Sequence, residues 1–229
     1  MIKEYIYSLL SIEQYVWIDY AFLKESFGRS LDNIQKQNYS SRASKCGVEL
    51  AHAIKNKYPN KSLIQCVKLE GADIELSEPE QNGIQKVFAT FTEPNEILIS
   101  KSISERTDQL IHTHGLSTVL GNVATFEVLL AHEFFHYLES KHSNIYTKQK
   151  HLTLLNIWKL EYKVPIPCLQ EIGAMAFTKE FLNLPYSPYL YDILMIYVDN
   201  PKGAEKLFNT ITGLIKGAEN GLAYNIRDN

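Results

Sequence analysis

Apolar residues recur on a helical period at both ends of the chain, and on a two-residue period only in its middle. Ile6, Leu9, Leu10 and Ile12 fall on one side of a helix, so residues 1–37 are predicted to be helical and to pack through that side. A helix is predicted over 39–57, capped by Ser40 or Ser41 and stopped by Tyr58-Pro59-Asn60, and a short one over 62–69. Alternation then predicts strands over Ala72–Ser77, Ile84–Phe91 and Glu96–Ser100. Pro79 and Asn82-Gly83 mark the first intervening turn, and Pro94-Asn95 the second. The simplest topology for three such strands is an antiparallel meander. From about residue 103 the pattern returns to helices and loops, most clearly over 123–141, with Pro165, Pro167, Pro185 and Pro188 as punctuation. The predicted fold class is α+β: mainly helical, with a small antiparallel three-stranded sheet.

Composition narrows the possible functions. At 229 residues the chain is long enough for one substantial core and short for two full domains. The net charge is −3, and no run of Lys and Arg tracks phosphates, so no direct nucleic-acid partner is expected. No stretch of about 18 uncharged apolar residues predicts a membrane span. Glu4, Glu13 and Asp19 interrupt the apolar start, which argues against a signal peptide. Three cysteines (Cys46, Cys66 and Cys168) make no disulfide framework and fit a reducing compartment, so a cytoplasmic location is expected.

Within the predicted 123–141 helix, residues 130–138 read Leu-Ala-His-Glu-Phe-Phe-His-Tyr-Leu. Random shuffling of this composition would give roughly 0.02 matches to H-E-x-x-H per chain. Residues four apart on a helix are offset by only about 40°, so His132 and His136 can reach one metal ion. Glu133 projects to the side, where a carboxylate could take a proton from a metal-activated water and hand it to a leaving amine. Two core histidines are the plain alternative. A Glu and two His on so apolar a helix are poorly explained by packing, because buried polar groups need partners.

A zinc site of this kind needs a third protein ligand, and two residues compete. His142 lies ten positions after His132, at metzincin spacing, but that spacing needs a sharp break after the second His, commonly at a Gly. Glu139, a good helix former, stands there instead, and no Met-turn is evident around Met175 or Met195. Glu171 opens Glu-Ile-Gly-Ala-Met-Ala-Phe-Thr-Lys-Glu-Phe-Leu, a predicted second helix, where Gly173 and Ala174 would let two helices come close. The continuing helix favours Glu171, although a charge at a helix start is also an ordinary solvated feature.

These residues resemble the ImmA/IrrE-type metallopeptidases, whose hallmark is an A-H-E-x-x-H helix followed by E-x-x-A-x-x-F-A-x-x-L-L-x-P. The chain has Ala131, His132, Glu133 and His136, then Glu171, Ala174, Phe177, Phe181 and Leu182, with Pro185 one place late. Thr178 replaces the usual Ala, and Phe135 stands where a Gly is usual. The resemblance covers roughly residues 40–185. It implies a gluzincin-like zinc endopeptidase in which His132, His136 and Glu171 hold Zn2+ and Glu133 is catalytic. It further implies a protein substrate, often a helix-turn-helix repressor. The corresponding organisation is one compact unit: a helical extension over 1–38, a zincin-like domain over 39–185 and a helical segment over 186–229.

Other residues carry weaker signals. His112 and His114 form an H-x-H pair with no third ligand evident beside it. Cys168 lies three residues before Glu171, and a buried thiol is its simpler reading. His151, Tyr137, Tyr146, Tyr186 and Tyr189 could each offer a donor to an oxyanion, and nothing singles one out. The rival functional reading is a non-proteolytic regulatory binding protein that keeps the H-E-x-x-H site for structure, and a third is a non-peptidase hydrolase or toxin on the same scaffold.

Overall fold

The computed structural model describes residues 1–25, 31–77, 88–157 and 160–225, with side chains given for all of these except 152–163 and 216–225. The helical start divides at Ser11–Glu13 into α1 (Ile2–Leu10) and α2 (Gln14–Leu23). The next helix, α3, runs Asn33–Lys57 and starts earlier than the sequence pattern suggests. Its cap is Asp32, not Ser40 or Ser41. The Asp32 carboxylate accepts from the Gln35 N–H at 2.7 Å, and the Gln35 side chain accepts from the Asp32 N–H at 3.2 Å. The same reciprocal device at Ser62 and Gln65 starts α4 (Leu63–Glu70).

The sheet is mixed, which corrects the antiparallel expectation. Strands β1 (Asp73–Ser77), β2 (Ala89–Thr92) and β3 (Glu96–Ser100) lie in the order β1-β3-β2. β3 pairs parallel with β1 and antiparallel with β2. Asn95 sets this arrangement. Its carbonyl accepts from the Asp73 N–H at 2.8 Å and its amide reaches the Asp73 carboxylate at 2.9 Å, so β1 and β3 begin side by side and run the same way. Ile97 and Ile99 of β3 are fully buried. Within the described residues the predicted second strand is found from Ala89 and continues to Thr92. Its first part, and the Pro79 and Asn82-Gly83 turn, lie outside the described residues.

After the sheet come α5 (Lys101–Thr113), α6 (Ser117–Leu120), α7 (Thr125–Lys141) and α8 (Tyr146–Gln149). A strand pair then interrupts the predicted run of helices: β4 (His151–Ile157) lies antiparallel to β5 (Leu160–Pro165). Leucines in these segments masked their strand character. The chain ends in α9 (Cys168–Phe181), α10 (Leu190–Asp199) and α11 (Pro201–Asn225). One buried cluster runs from Ile2, Ile6 and Leu9 of α1 through Phe134 and Phe177 to Ile193 and Ile211. Tyr5 of α1 stacks on Phe208 of α11 at 4.2 Å. The 38/39 division drawn from sequence falls inside the continuous helix α3. No helix among the described residues is long and apolar enough to cross a membrane.

Two glycines bring three helices together. A Cβ on Gly47 of α3 would lie 2.1 Å from the Gly173 carbonyl oxygen of α9, so only glycine allows that approach. On its other side, a Cβ on Gly173 would lie 2.6 Å from the Phe135 ring of α7. The large Phe135 thus meets a glycine across the interface.

Candidate metal centre

Helix α7 carries the H-E-x-x-H residues because its neighbours satisfy its start and bury most of its surface. Ala124, its N-cap, has no side-chain oxygen. Asp108 of α5 takes that role, accepting from the Thr125 N–H at 2.8 Å and from the Thr125 hydroxyl, while the Glu127 carboxylate reaches back to the Ala124 N–H at 3.4 Å. Helix α9 starts after Pro165 and Pro167, and the Glu25 carboxylate accepts its first free N–H, that of Cys168, at 2.6 Å. Glu171 sits in the first turn of α9 and faces α7 across the Phe135–Gly173 contact.

The side chains converge. His132 Nε2 and His136 Nε2 are 3.1 Å apart, His132 Nε2 is 3.4 Å from Glu171 Oε2, and His136 Nε2 is 3.6 Å from Glu171 Oε1. Ligand atoms at zinc-like bond lengths of 2.0–2.2 Å on a tetrahedron are about 3.4 Å apart. The three groups therefore fit a small divalent cation without rearrangement, and their N, N, O donor set suits one. The imidazoles and the carboxylate also act on one another, and Glu171 favours a proton on His132 that a bound cation would displace. Burial disfavours a charged imidazole at His132, but the hydrogen bond and negative charge of Glu171 outweigh it and hold the pKa up at about 9. Burial likewise works against ionised Glu171, yet the hydrogen bond from His132 and the charges of both imidazoles hold its pKa down at about 2.

Glu133 is buried, 8% exposed, and lines the cleft beside the three ligands. Among the described residues its carboxylate takes no hydrogen bond, which leaves it free toward the cleft. Glu139, by contrast, is fully engaged. It is 3% exposed, accepts a short hydrogen bond from the Thr147 hydroxyl, and places Oε2 3.7 Å from His136 Nδ1. It stands behind the imidazole that presents Nε2 to the cluster, as outer carboxylates do in histidine metal sites. Sequence reasoning treated Glu139 only as a helix former. Its signal was present: a Glu three residues after His136 shares that residue's helix face.

His142 is the C-cap of α7, with φ −111 and ψ 93, and is exposed. The chain leaves the helix there in an extended direction, and His142 is outside the cluster. His112 and His114 are exposed and belong to no ligand cluster among the described residues. Cys168 is buried. That burial, reinforced by the neighbouring Glu25, pushes its thiol well above the ordinary range. Of the oxyanion-donor candidates, Tyr137 donates to the Glu70 carbonyl and Tyr186 to the Leu120 carbonyl at 2.7 Å. Tyr146 lies beneath the Arg42 guanidinium, and Tyr189 stacks on Trp17 at 5.9 Å. His151 is exposed, with Nδ1 2.8 Å from the Gln149 carbonyl. None of the five lines the clefts at the cluster, whereas Lys148, unremarked in the sequence, does.

Two clefts meet at these ligands. One, of about 540 Å³, runs along β2 and carries Glu93, Glu139, Lys148 and Gln170. The other, of about 350 Å³, lies between α7, α9 and α10, and both share His132, Glu133 and Glu171. Searches of family models, curated proteins and solved structures return no match to this chain.

Proposed function

We propose that this chain is a gluzincin-like, zinc-dependent metalloendopeptidase acting on a protein or peptide in the cytoplasm. The observation that carries the reading is the meeting of His132, His136 and Glu171 at 3.1–3.6 Å, with Glu133, whose carboxylate accepts no hydrogen bond from the described residues, lining the same cleft. Those three residues would hold the ion. When bound, zinc supplies Lewis-acid chemistry, lowering the pKa of a water towards neutrality and polarising a carbonyl. Glu133 is the general base. It takes a proton from the attacking water and returns it to the leaving amine. Glu139 lies behind the ring of His136, with Oε2 3.7 Å from Nδ1, where its charge favours the orientation that aims Nε2 inward.

Strand β2 supports a peptide substrate. It is an edge strand of the described sheet, the one that lines the larger cleft next to the ligands, so its outer N–H and C=O groups can pair with an extended chain. The resemblance of residues 40–185 to ImmA/IrrE-type enzymes makes a helix-turn-helix repressor the first protein to try. The test separates binding from chemistry. Glu133→Gln is expected to keep one zinc per chain and to lower cleavage of the candidate repressor by at least about a hundred-fold. Cleavage that survives this change would remove Glu133 from its role. A repressor that is inactivated equally well by the variant, and remains intact, would favour the non-proteolytic binding protein.

A further inference from the structure

The two clefts that meet at the ligand cluster differ in chemistry, and the smaller one is built partly by α10, which lies beyond the stretch of family resemblance. Val128 and Leu129 of α7, Met175 of α9 and Met195 of α10 supply apolar walls. Asp192 is the acidic group that α10 adds to this lining. Its Oδ2 accepts from the Tyr20 hydroxyl at 2.8 Å and lies 3.5 Å from Lys24 Nζ, which itself sits 4.7 Å from the centre of the Tyr20 ring. We propose that this cleft receives a large apolar side chain from the substrate residue next to the bond that is cut. The inference rests on the peptidase reading above and names the substrate feature that reading leaves open.

Three arguments select this occupant. The cleft shares His132, Glu133 and Glu171 with the β2 cleft, so a chain lying along β2 and crossing the ligands has a side chain at its mouth. An anionic side chain would meet three carboxylates, those of Glu133, Glu171 and Asp192, against the single ammonium of Lys24, which Asp192 already pairs. A cationic one finds the Asp192 carboxylate already matched by Lys24, which lines the same cleft, so it would gain little and would face that ammonium. Most of the remaining contact is apolar, from Phe88, Val128, Leu129, Met175 and Met195, with Thr178 and Tyr191 adding hydroxyl-bearing side chains. The volume of about 350 Å³ leaves room for a leucine, methionine or phenylalanine side chain, and the two flexible methionines can adapt to its shape.

The test uses the zinc-loaded full-length chain and three N-acetylated amino-acid hydroxamates, of glycine, leucine and arginine, with affinities measured by calorimetry. The hydroxamate group chelates the metal and places each side chain beside it. Leucine is expected to bind at least about ten-fold more tightly than glycine, the gain from burying a side chain of that size. Arginine is expected to match glycine. Met175→Trp, which fills the cleft from a half-buried position, should erase the leucine advantage and leave glycine unchanged. The wild-type ratios test the proposal without this variant. Equal affinities for all three would overturn the cleft's role while leaving the metal reading intact. Arginine binding tightest would overturn it in favour of Asp192 as an anchor. A chain that takes up no zinc, or binds no hydroxamate, would overturn both.

Discussion

Two closely spaced pairs of histidines lie on helices, and among the described residues only one of them belongs to a cluster that could hold an ion. His112 lies in the last turn of α5 and His114 caps it, two residues apart, so their side chains leave the helix about 200° apart. His132 and His136 are four apart on α7, and their Nε2 atoms are 3.1 Å from one another. Spacing is only half of the difference. The second pair faces α9, which delivers Glu171 into the gap, and Glu139 backs one ring; the first pair is exposed and belongs to no such cluster. A metal site on a helix therefore depends on what packs against the helix as much as on the helix itself.

That comparison can be broken at several points. The largest effect is expected from His132→Ala, which removes one of three ligands and should lower zinc affinity by at least about a thousand-fold, measured by competition with a chelator. Glu139→Gln leaves every ligand in place and removes only the charge behind His136. It should weaken zinc binding by about ten- to a hundred-fold, and an unchanged affinity would show that the outer carboxylate is dispensable. Gly47→Ala acts at a distance, by driving a Cβ against the Gly173 carbonyl and separating α3 from α9. Alanine's better helix propensity offsets about 1 kcal/mol of the overpacking, so a net loss of about 1–2 kcal/mol is expected in a urea titration. The smallest effect belongs to the other pair: His112→Ala with His114→Ala should leave zinc content unchanged.

The sequence was most informative where local periodicity sufficed. The 123–141 helix, the short helix at 62–69 and the first and third strands are found close to their predicted places, and the spacing of His132, Glu133 and His136 already implied one face. The geometry places Glu171 beside His132 and His136 and leaves His142 outside, in keeping with a helix that does not break at Glu139. The rest depends on long-range pairing. Nothing in the alternation of β1 and β3 says that they run parallel; that follows from Asn95 holding both strand starts together. β4 carries leucines at 152, 154 and 155 that suit a helix equally well, and its pairing with β5 is not written in either segment alone. Glu139 behind His136, and Gly173 receiving Phe135, become visible only once α8 and α9 are packed on α7. Asp192 reaches the second cleft from 21 residues beyond Glu171, by way of α10.

The central claim is that one cation is held by these three side chains, and anomalous X-ray scattering at the zinc edge from crystals of the zinc-loaded protein tests it most directly. The account predicts a single peak per chain, about 2.0–2.2 Å from His132 Nε2, His136 Nε2 and one carboxylate oxygen of Glu171. A peak coordinated by His142 or by the His112–His114 pair, or no peak between His132 and His136, would contradict it.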